Sequence, residues 1–299
     1  MTNKLYISEC NLKVIRSHPT KNILVALGQR TIVILQMINN NLVIKMRFVD
    51  ENEKEFYSCL DFLDYNDKFY VVFGGKCGII KILDLTIGKF YGFIDAHEEI
   101  TDIKVMGTLI ASCGTDLSIK IWDFNTFKCI NTFTGHDEVV LKLDLKDDLL
   151  VSAGMDQKIL IWDIKKSPSY EPMFIIENLH KELILKTFFY GTLIIALTKD
   201  NMITICRIND TGKESSNRNF LLIKTLHYAD IVDIDIMEHS LICFSQSIGL
   251  FMIDLLSILD TVKVKHIEKS SDLGLCVTSN KKNIFVLYED NLIEAFQIN

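Results

Sequence analysis

Histidine, serine and aspartate recur at fixed spacing in the middle of the chain: His97, Ser112 and Asp116, then His136, Ser152 and Asp156. These residue types can build a hydrolytic triad of nucleophile, base and orienting carboxylate. The spacing argues for different chemistry. In both sets Asp follows Ser by four residues, and a tryptophan, Trp122 or Trp162, follows Asp by six. Each tryptophan precedes an aspartate, and the two copies lie forty residues apart. A triad needs one exposed nucleophile, whereas a set repeated at this period is a structural unit. The chemistry that fits is a buried Asp–His–Ser–Trp hydrogen-bond chain that satisfies polar groups inside the fold. No phosphate-cradling loop competes with this reading, because Gly74-Gly75-Lys76-Cys77-Gly78 lacks the required spacing. No H-E-x-x-H or paired-cysteine metal pattern occurs either. No catalytic residue, metal or cofactor is expected.

Such a chain has to be held by strands. The histidine belongs in the loop entering an innermost strand, and the aspartate in the tight turn between the second and third strands. Serine then lies on the second strand and tryptophan on the third. For the first full copy the apolar runs predict strands over Ile100–Val105, Leu109–Ser112, Ile119–Trp122 and Cys129–Phe133. Sliding the same frame along the chain finds weaker copies. These are Phe73/Cys77/Leu83, His180/Ala196/Asp200/Cys206, His227/Cys243/Ser247/Ile253 and Val286/Asp290/Phe296, with a degenerate unit over Ile23–Gln36. Seven units result, spaced by 39 to 47 residues at the tryptophan position from Leu83 onward. The Trp-Asp endings and their frame resemble the WD-repeat family, which implies an all-β, seven-bladed β-propeller. The last unit stops after its third strand, so the segment Lys4–Ser8 is expected to supply the fourth and close the ring without a free edge. The polar stretches Lys165–Pro172 and Asn209–Asn219 are expected to be surface loops, which leaves residues 1–299 as one domain.

Composition narrows the function. Apolar residues make up 48% of the chain and charged residues 24%, enough for a large core and a solvated surface. The net charge of −7 argues against a nucleic-acid binder with a broad basic face and favours basic protein partners. No apolar run approaches a membrane span and the N-terminus carries no signal-type segment, so an intracellular protein with no membrane partner is expected. Eight scattered cysteines without a C-x-x-C pair are expected to be reduced and mostly buried.

Several stretches are more specific than a bare repeat. They are Val71-Val72-Phe73-Gly74-Gly75-Lys76-Cys77-Gly78-Ile79-Ile80-Lys81-Ile82, His136-Asp137-Glu138-Val139-Val140-Leu141 and the Gly154-Met155-Asp156 step. They are similar to the EED/extra sex combs family, the WD-repeat subunits of Polycomb repressive complex two. The resemblance is best over residues 56–206 and fades in the last two units. It implies a non-catalytic nuclear scaffold of a histone (H3-tail lysine) methyltransferase complex that binds the SET-domain subunit and a basic histone tail. The family reads trimethyl-lysine with an aromatic cage, and Phe56-Tyr57-Ser58-Cys59 matches one cage motif, so Tyr57 is carried over as a peptide-binding residue. The other reading of Tyr57 is an aromatic at a strand start, packed between blades. The family's cage tryptophan falls at Val232 or Asp233 and its cage phenylalanine at Leu12 or Lys13, none of them aromatic. The acidic run Asp50–Glu55 suits a basic peptide, or is a solvated loop. A cytoplasmic WD-repeat adaptor in ubiquitin ligation, trafficking or RNA processing is the alternative.

Overall fold

The computed structural model describes residues 2–8, 10–165, 171–177, 179, 181–209, 219–258, 262–268 and 273–298. Every regular element among them is a strand. After β1 (Thr2–Tyr6), the chain builds four-stranded antiparallel sheets in succession. Blade 1 is β2 (Leu12–Ser17), β3 (Ile23–Gly28), β4 (Thr31–Ile38) and β5 (Asn41–Val49). Blade 2 is β6 (Tyr57–Tyr65), β7 (Lys68–Gly75), β8 (Ile79–Asp84) and β9 (Lys89–Asp95). Blade 3 is β10 (Ile100–Met106), β11 (Leu109–Gly114), β12 (Ser118–Asp123) and β13 (Cys129–Thr134). Blade 4 is β14 (Val140–Lys146), β15 (Leu149–Gly154), β16 (Ile159–Asp163) and the short β17 (Phe174–Ile176). Blade 5 is β18 (Ile184–Tyr190), β19 (Leu193–Thr198), β20 (Met202–Asn209) and β21 (Asn219–His227). Blade 6 is β22 (Ile231–Met237), β23 (Ser240–Ser245), β24 (Gly249–Asp254) and β25 (Val264–Glu268). Blade 7 is β26 (Gly274–Ser279), β27 (Asn283–Tyr288) and β28 (Leu292–Gln297), with β1 as its fourth strand. The fold is a seven-bladed β-propeller.

By internal packing the chain divides into two compact units, residues 1–57 with 228–299, and residues 58–227. In the first, blade 7 packs on blade 1 through Leu12, Leu24, Leu35, Phe285, Leu287 and Ile293. Blade 6 packs on blade 7 through Phe244, Leu250, Val286 and Tyr288. In the second, Ile80, Ile82, Ile103 and Ile110 join blades 2 and 3. Phe133, Leu143 and Trp162 fill the seam between blades 3 and 4, and Ile161, Ile184 and Ile194 that between 4 and 5. Both faces of the middle strands are buried, which explains their near-continuous apolar runs, as in the fully buried β19.

The closing strand differs from its expected range. β1 spans Thr2–Tyr6, not Lys4–Ser8, and pairs antiparallel with β28 from Thr2↔Phe296 to Tyr6↔Leu292. The reason is Ile7, which is buried in the seam between blades 7 and 1, so the chain turns off the sheet edge there. The buried Glu294 on β28 takes Lys4 Nζ at 3.3 Å and the Tyr288 hydroxyl at 3.2 Å.

The spacing frame matches the observed register. Residues at the tryptophan position pair with residues twelve earlier: Val71↔Leu83, Ile110↔Trp122, Leu150↔Trp162, Ile194↔Cys206, Leu241↔Ile253 and Ile284↔Phe296. Blade 1 departs, with Leu24↔Leu35, because its turn is one residue shorter. The predicted strands of blade 3 each gain one or two residues at their ends. Residues 166–170 and 210–218, which hold most of the two expected surface loops, lie outside the described residues, as does His180.

Candidate functional site

His97 lies just ahead of β10, where the chain enters the inner strand of blade 3, and Asp116 lies in the turn between β11 and β12. The histidine's Nδ1 sits 2.8 Å from Asp116 Oδ1 and its Nε2 2.7 Å from Ser112 Oγ, while Trp122 Nε1–H donates to the same Oγ at 2.9 Å. Blade 4 repeats the arrangement. His136 Nδ1 is 2.9 Å from Asp156 Oδ2, its Nε2 is 2.8 Å from Ser152 Oγ, and Trp162 Nε1–H donates to Ser152 at 2.9 Å. Proton placement follows from the two ends. An indole N–H only donates and a carboxylate only accepts, so serine donates to Nε2 and the neutral imidazole carries its proton on Nδ1. Ser112 and Ser152 are fully buried with the hydroxyl committed, so neither is a nucleophile.

The electrostatics agree. Burial pushes the His97 pKa down, against the pull of Asp116, which keeps the ring neutral near pH 7. For Asp116 burial pushes upward, but the His97 hydrogen bond and charge, with Ser118 and Lys120, prevail and hold the carboxyl below its ordinary value. Asp156 is likewise lowered, burial being outweighed by His136 and the backbone N–H groups of Asp137 and Lys158. Gly114 and Gly154 make room for the rings. A Cβ at Gly114 would lie 2.8 Å from His97 Cβ, and one at Gly154 would lie 2.6 Å from His136 Nδ1.

The weaker copies keep the frame without the chain. Phe73, Ala196, Cys243 and Val286 stand at the serine position and Leu83, Cys206, Ile253 and Phe296 at the tryptophan position, all buried. Both polar partners are replaced together, so no donor is orphaned. His227 ends β21 exposed. In blade 6 Ser245 does the capping, donating to Ala229 O at 2.7 Å. The aspartates at the end of the third strands have their own task. Asp84, Asp123, Asp163 and Asp254 each accept the backbone N–H two residues on and so shape the outer turn.

A second device escaped the spacing argument. Numbering each inner strand from its first residue, a carboxylate at position three or five accepts the backbone N–H of the next blade's position four or six. Asp61 takes Val105 at 2.9 Å, Asp102 takes Leu143 at 2.9 Å and Asp144 takes Phe189 at 2.8 Å. Asp233 takes Val277 at 3.0 Å and Asp235 takes Ser279 at 2.7 Å. These carboxylates stitch neighbouring inner strands together and are spent in doing so.

Tyr57 opens β6 and is fully buried, with its hydroxyl donated to Asp50 Oδ2. In the loop between β5 and β6, Asp50 also accepts Asn52 N–H, and the buried Glu55 accepts Phe56 N–H. The exposed part of the acidic run is therefore 51–54, where Glu51 and Glu53 flank Asn52 and precede Lys54. Leu12 is core and Lys13 exposed; Val232 is half-buried and Asp233 is the stitch to blade 7. The structure brings no second aromatic to these positions.

Among the described residues the eight cysteines form no disulfide. Burial pushes the thiols of Cys59, Cys113 and Cys243 far up and that of Cys206 up to about 11, so they stay protonated and unreactive. Among the described residues no cluster of histidine, cysteine and carboxylates has metal-holding geometry.

The family model described as WD domain, G-beta repeat, matches residues 88–123 and 127–163, the segments that carry the two tryptophans. The Polycomb group protein FIE1 of Oryza sativa subsp. japonica is 29% identical over 125 residues, 39% of this chain and 33% of that protein. The nuclear distribution protein PAC1 of Fusarium vanettenii is 38% identical over 73 residues, covering 22% of this chain and 16% of that one. The matches thus span a third or less of the length of these curated relatives. Among solved structures, a chain of the humanized mutant of the Chaetomium thermophilum Polycomb Repressive Complex 2 bound to GSK126 superposes with a TM-score of 0.82 at 15% identity. That match covers 99% of this chain and 96% of that one. A chain of the apo complex in an autoinhibited state gives the same TM-score over 98% and 96%. Two WD repeats, matched over residues 88–123 and 127–163, thus sit as neighbouring blades in a seven-bladed propeller fold.

Proposed function

We propose that this chain is the non-catalytic scaffold subunit of a Polycomb-type histone lysine methyltransferase assembly, working in the nucleus. The observation that carries the reading is a double likeness. Sequence similarity to a Polycomb group protein coincides with a near end-to-end structural match to a chain from Polycomb Repressive Complex 2 structures. The His–Ser–Asp sets are committed to hydrogen bonds inside their blades, which suits a chain that works through its surface. In this reading a SET-domain subunit is the main partner. A basic histone tail meets the exposed acidic residues of 51–54. Tyr57 takes part through Asp50, by fixing the base of that loop, because its ring is buried.

The test is affinity purification of the tagged protein from its own cells, with the co-purifying chains identified. Recovery of a SET-domain methyltransferase is the expected result. The similarity to PAC1 proteins over the repeats favours a second reading, an adaptor in another assembly. Recovery of ligase, trafficking or RNA-processing components without a methyltransferase would replace the first reading with the second.

A further inference from the structure

We propose that the inner face of blades 3 to 5 binds a small tetrahedral oxyanion of the phosphate type, held by Lys142 and Lys104 with the backbone N–H groups of Thr187 and Leu145. The site lies where the aspartate stitch is interrupted. On β10, β14 and β18, positions three and five are Asp102 and Lys104, Lys142 and Asp144, and Lys186 and Phe188. Three of these six stitching places hold a lysine and only two hold an aspartate.

The lysines leave backbone donors unmet. Phe189 N–H turns to the inner face to reach Asp144, and Thr187, two residues earlier on the same regular stretch of β18, points its N–H the same way. Leu143 N–H reaches Asp102, and Leu145 follows it in the same sense on β14. Among the described residues neither Thr187 N–H nor Leu145 N–H meets a protein acceptor. The preceding blade's stitching residue is Lys142 for Thr187 and Lys104 for Leu145, in each case a second donor.

The ammonium groups lack acceptors as well. Lys104 is 7% exposed, and its Nζ lies 3.7 Å from Asp144 Oδ1, an ion pair too long for a hydrogen bond. The same Nζ is 5.6 Å from the ring of Phe188, so the side chain reaches past β14 toward blade 5, where Lys186 Nζ lies 5.9 Å from that ring. Lys142 is half-buried and forms no ion pair or hydrogen bond among the described residues. Burial dominates at the thiols of Cys59 and Cys113, and Lys142 is the cation that opposes it at both, which sets its charge over the inner face. The aspartates are already committed. Asp102 accepts Ile103 and Leu143 N–H, and Asp144 accepts Phe189 N–H beside Lys104. Three lysines against two aspartates leave positive charge, and an anion with four oxygens can accept from ammonium and N–H groups on different strands at once. The cover over Lys104 and Phe188, both less than a tenth exposed, restricts the site to a small ion.

The experiment is isothermal titration calorimetry of the full chain with inorganic phosphate, against chloride at matched ionic strength, with circular dichroism on every variant to establish folding. The wild type should bind phosphate saturably with a Kd below ~10 mM. Lys142→Met keeps the stem and removes the charge, and should weaken binding about tenfold or more. Lys142→Asp should abolish it, because a carboxylate at this position can cap Thr187 N–H as Asp102 caps Leu143 N–H. Lys165→Met, at an exposed lysine paired with Asp148, should leave binding unchanged. A wild type that shows no saturable binding up to ~50 mM phosphate overturns the proposal. So does binding that survives Lys142→Asp, or that Lys165→Met weakens as much as Lys142→Met does.

Discussion

Replacing Ser152 with alanine removes one oxygen and strands two partners. The hydroxyl receives Trp162 Nε1–H at 2.9 Å and faces His136 Nε2 at 2.8 Å, in a site where Ser152 and Trp162 are fully buried. Water cannot take over either bond. A buried polar group left without a partner costs about 1–3 kcal/mol, and two such groups give a loss of about 2–6 kcal/mol. Unfolding in urea, followed by the fluorescence of the two tryptophans, measures this directly. A control isolates the cause. Trp162→Phe removes the donor, so Ser152→Ala/Trp162→Phe should cost less than the sum of the single changes by about 1 kcal/mol or more. Blades 2, 5, 6 and 7 display the limit of that logic, with apolar residues at both positions. A Ser152→Ala variant within about 0.5 kcal/mol of wild type would refute the claim that the chain supports the fold.

Four further outcomes are expected. Stability should fall as pH drops below 6.5, because the unfolded chain takes up a proton that buried His97 resists, and fall again below 3.8 as the unfolded chain protonates Asp116 before the folded one. Urea midpoints across pH report both steps, and His97→Gln should remove the first. Asp102→Asn keeps the shape but turns an acceptor into a donor facing Ile103 or Leu143 N–H; it should cost about 1–3 kcal/mol and speed hydrogen exchange at the Leu143 amide. Deleting residues 1–9 should lower the melting temperature and promote aggregation, by baring β28 and leaving Glu294 without Lys4. In the intact chain one unfolding transition is expected for residues 1–299, and two transitions divided near residues 57 and 228 would refute the single-domain reading.

The sequence was legible where one residue type has one task. Trp122 and Trp162 announced two blades, and because hairpin length is conserved around them, the spacing carried over to Leu83, Cys206, Ile253 and Phe296, where the residues themselves say little. Blade 1 was legible only as a degenerate unit over Ile23–Gln36 because its turn is one residue shorter, which breaks the count. The aspartate stitch hid for another reason. An aspartate on a half-polar strand reads as a solvent face, and the task alternates between two positions, as at Asp102 and Asp144. The acidic run Asp50–Glu55 was visible as charge, but that Asp50 and Glu55 turn inward depends on contacts to Tyr57 and Phe56. Tyr57 shows the limit of motif transfer, since its identity was matched while its burial depends on the fold around it.

The pairing of β1 with β28 also governs time. Thr2 meets Phe296, so β1 cannot be seated until β28 has been made. At ~5–20 residues per second, synthesis of 299 residues takes roughly 15–60 s, and β1 waits through nearly all of it. Loop-closure entropy is a weak obstacle, since each doubling of loop length adds only about 0.6 kcal/mol. The delay is kinetic. Blade 1 can form locally within the first fifty residues, but its seam partners Phe285, Leu287 and Ile293 arrive last, so that face stays bare during synthesis. The growing chain therefore exposes apolar surface that the folded propeller covers.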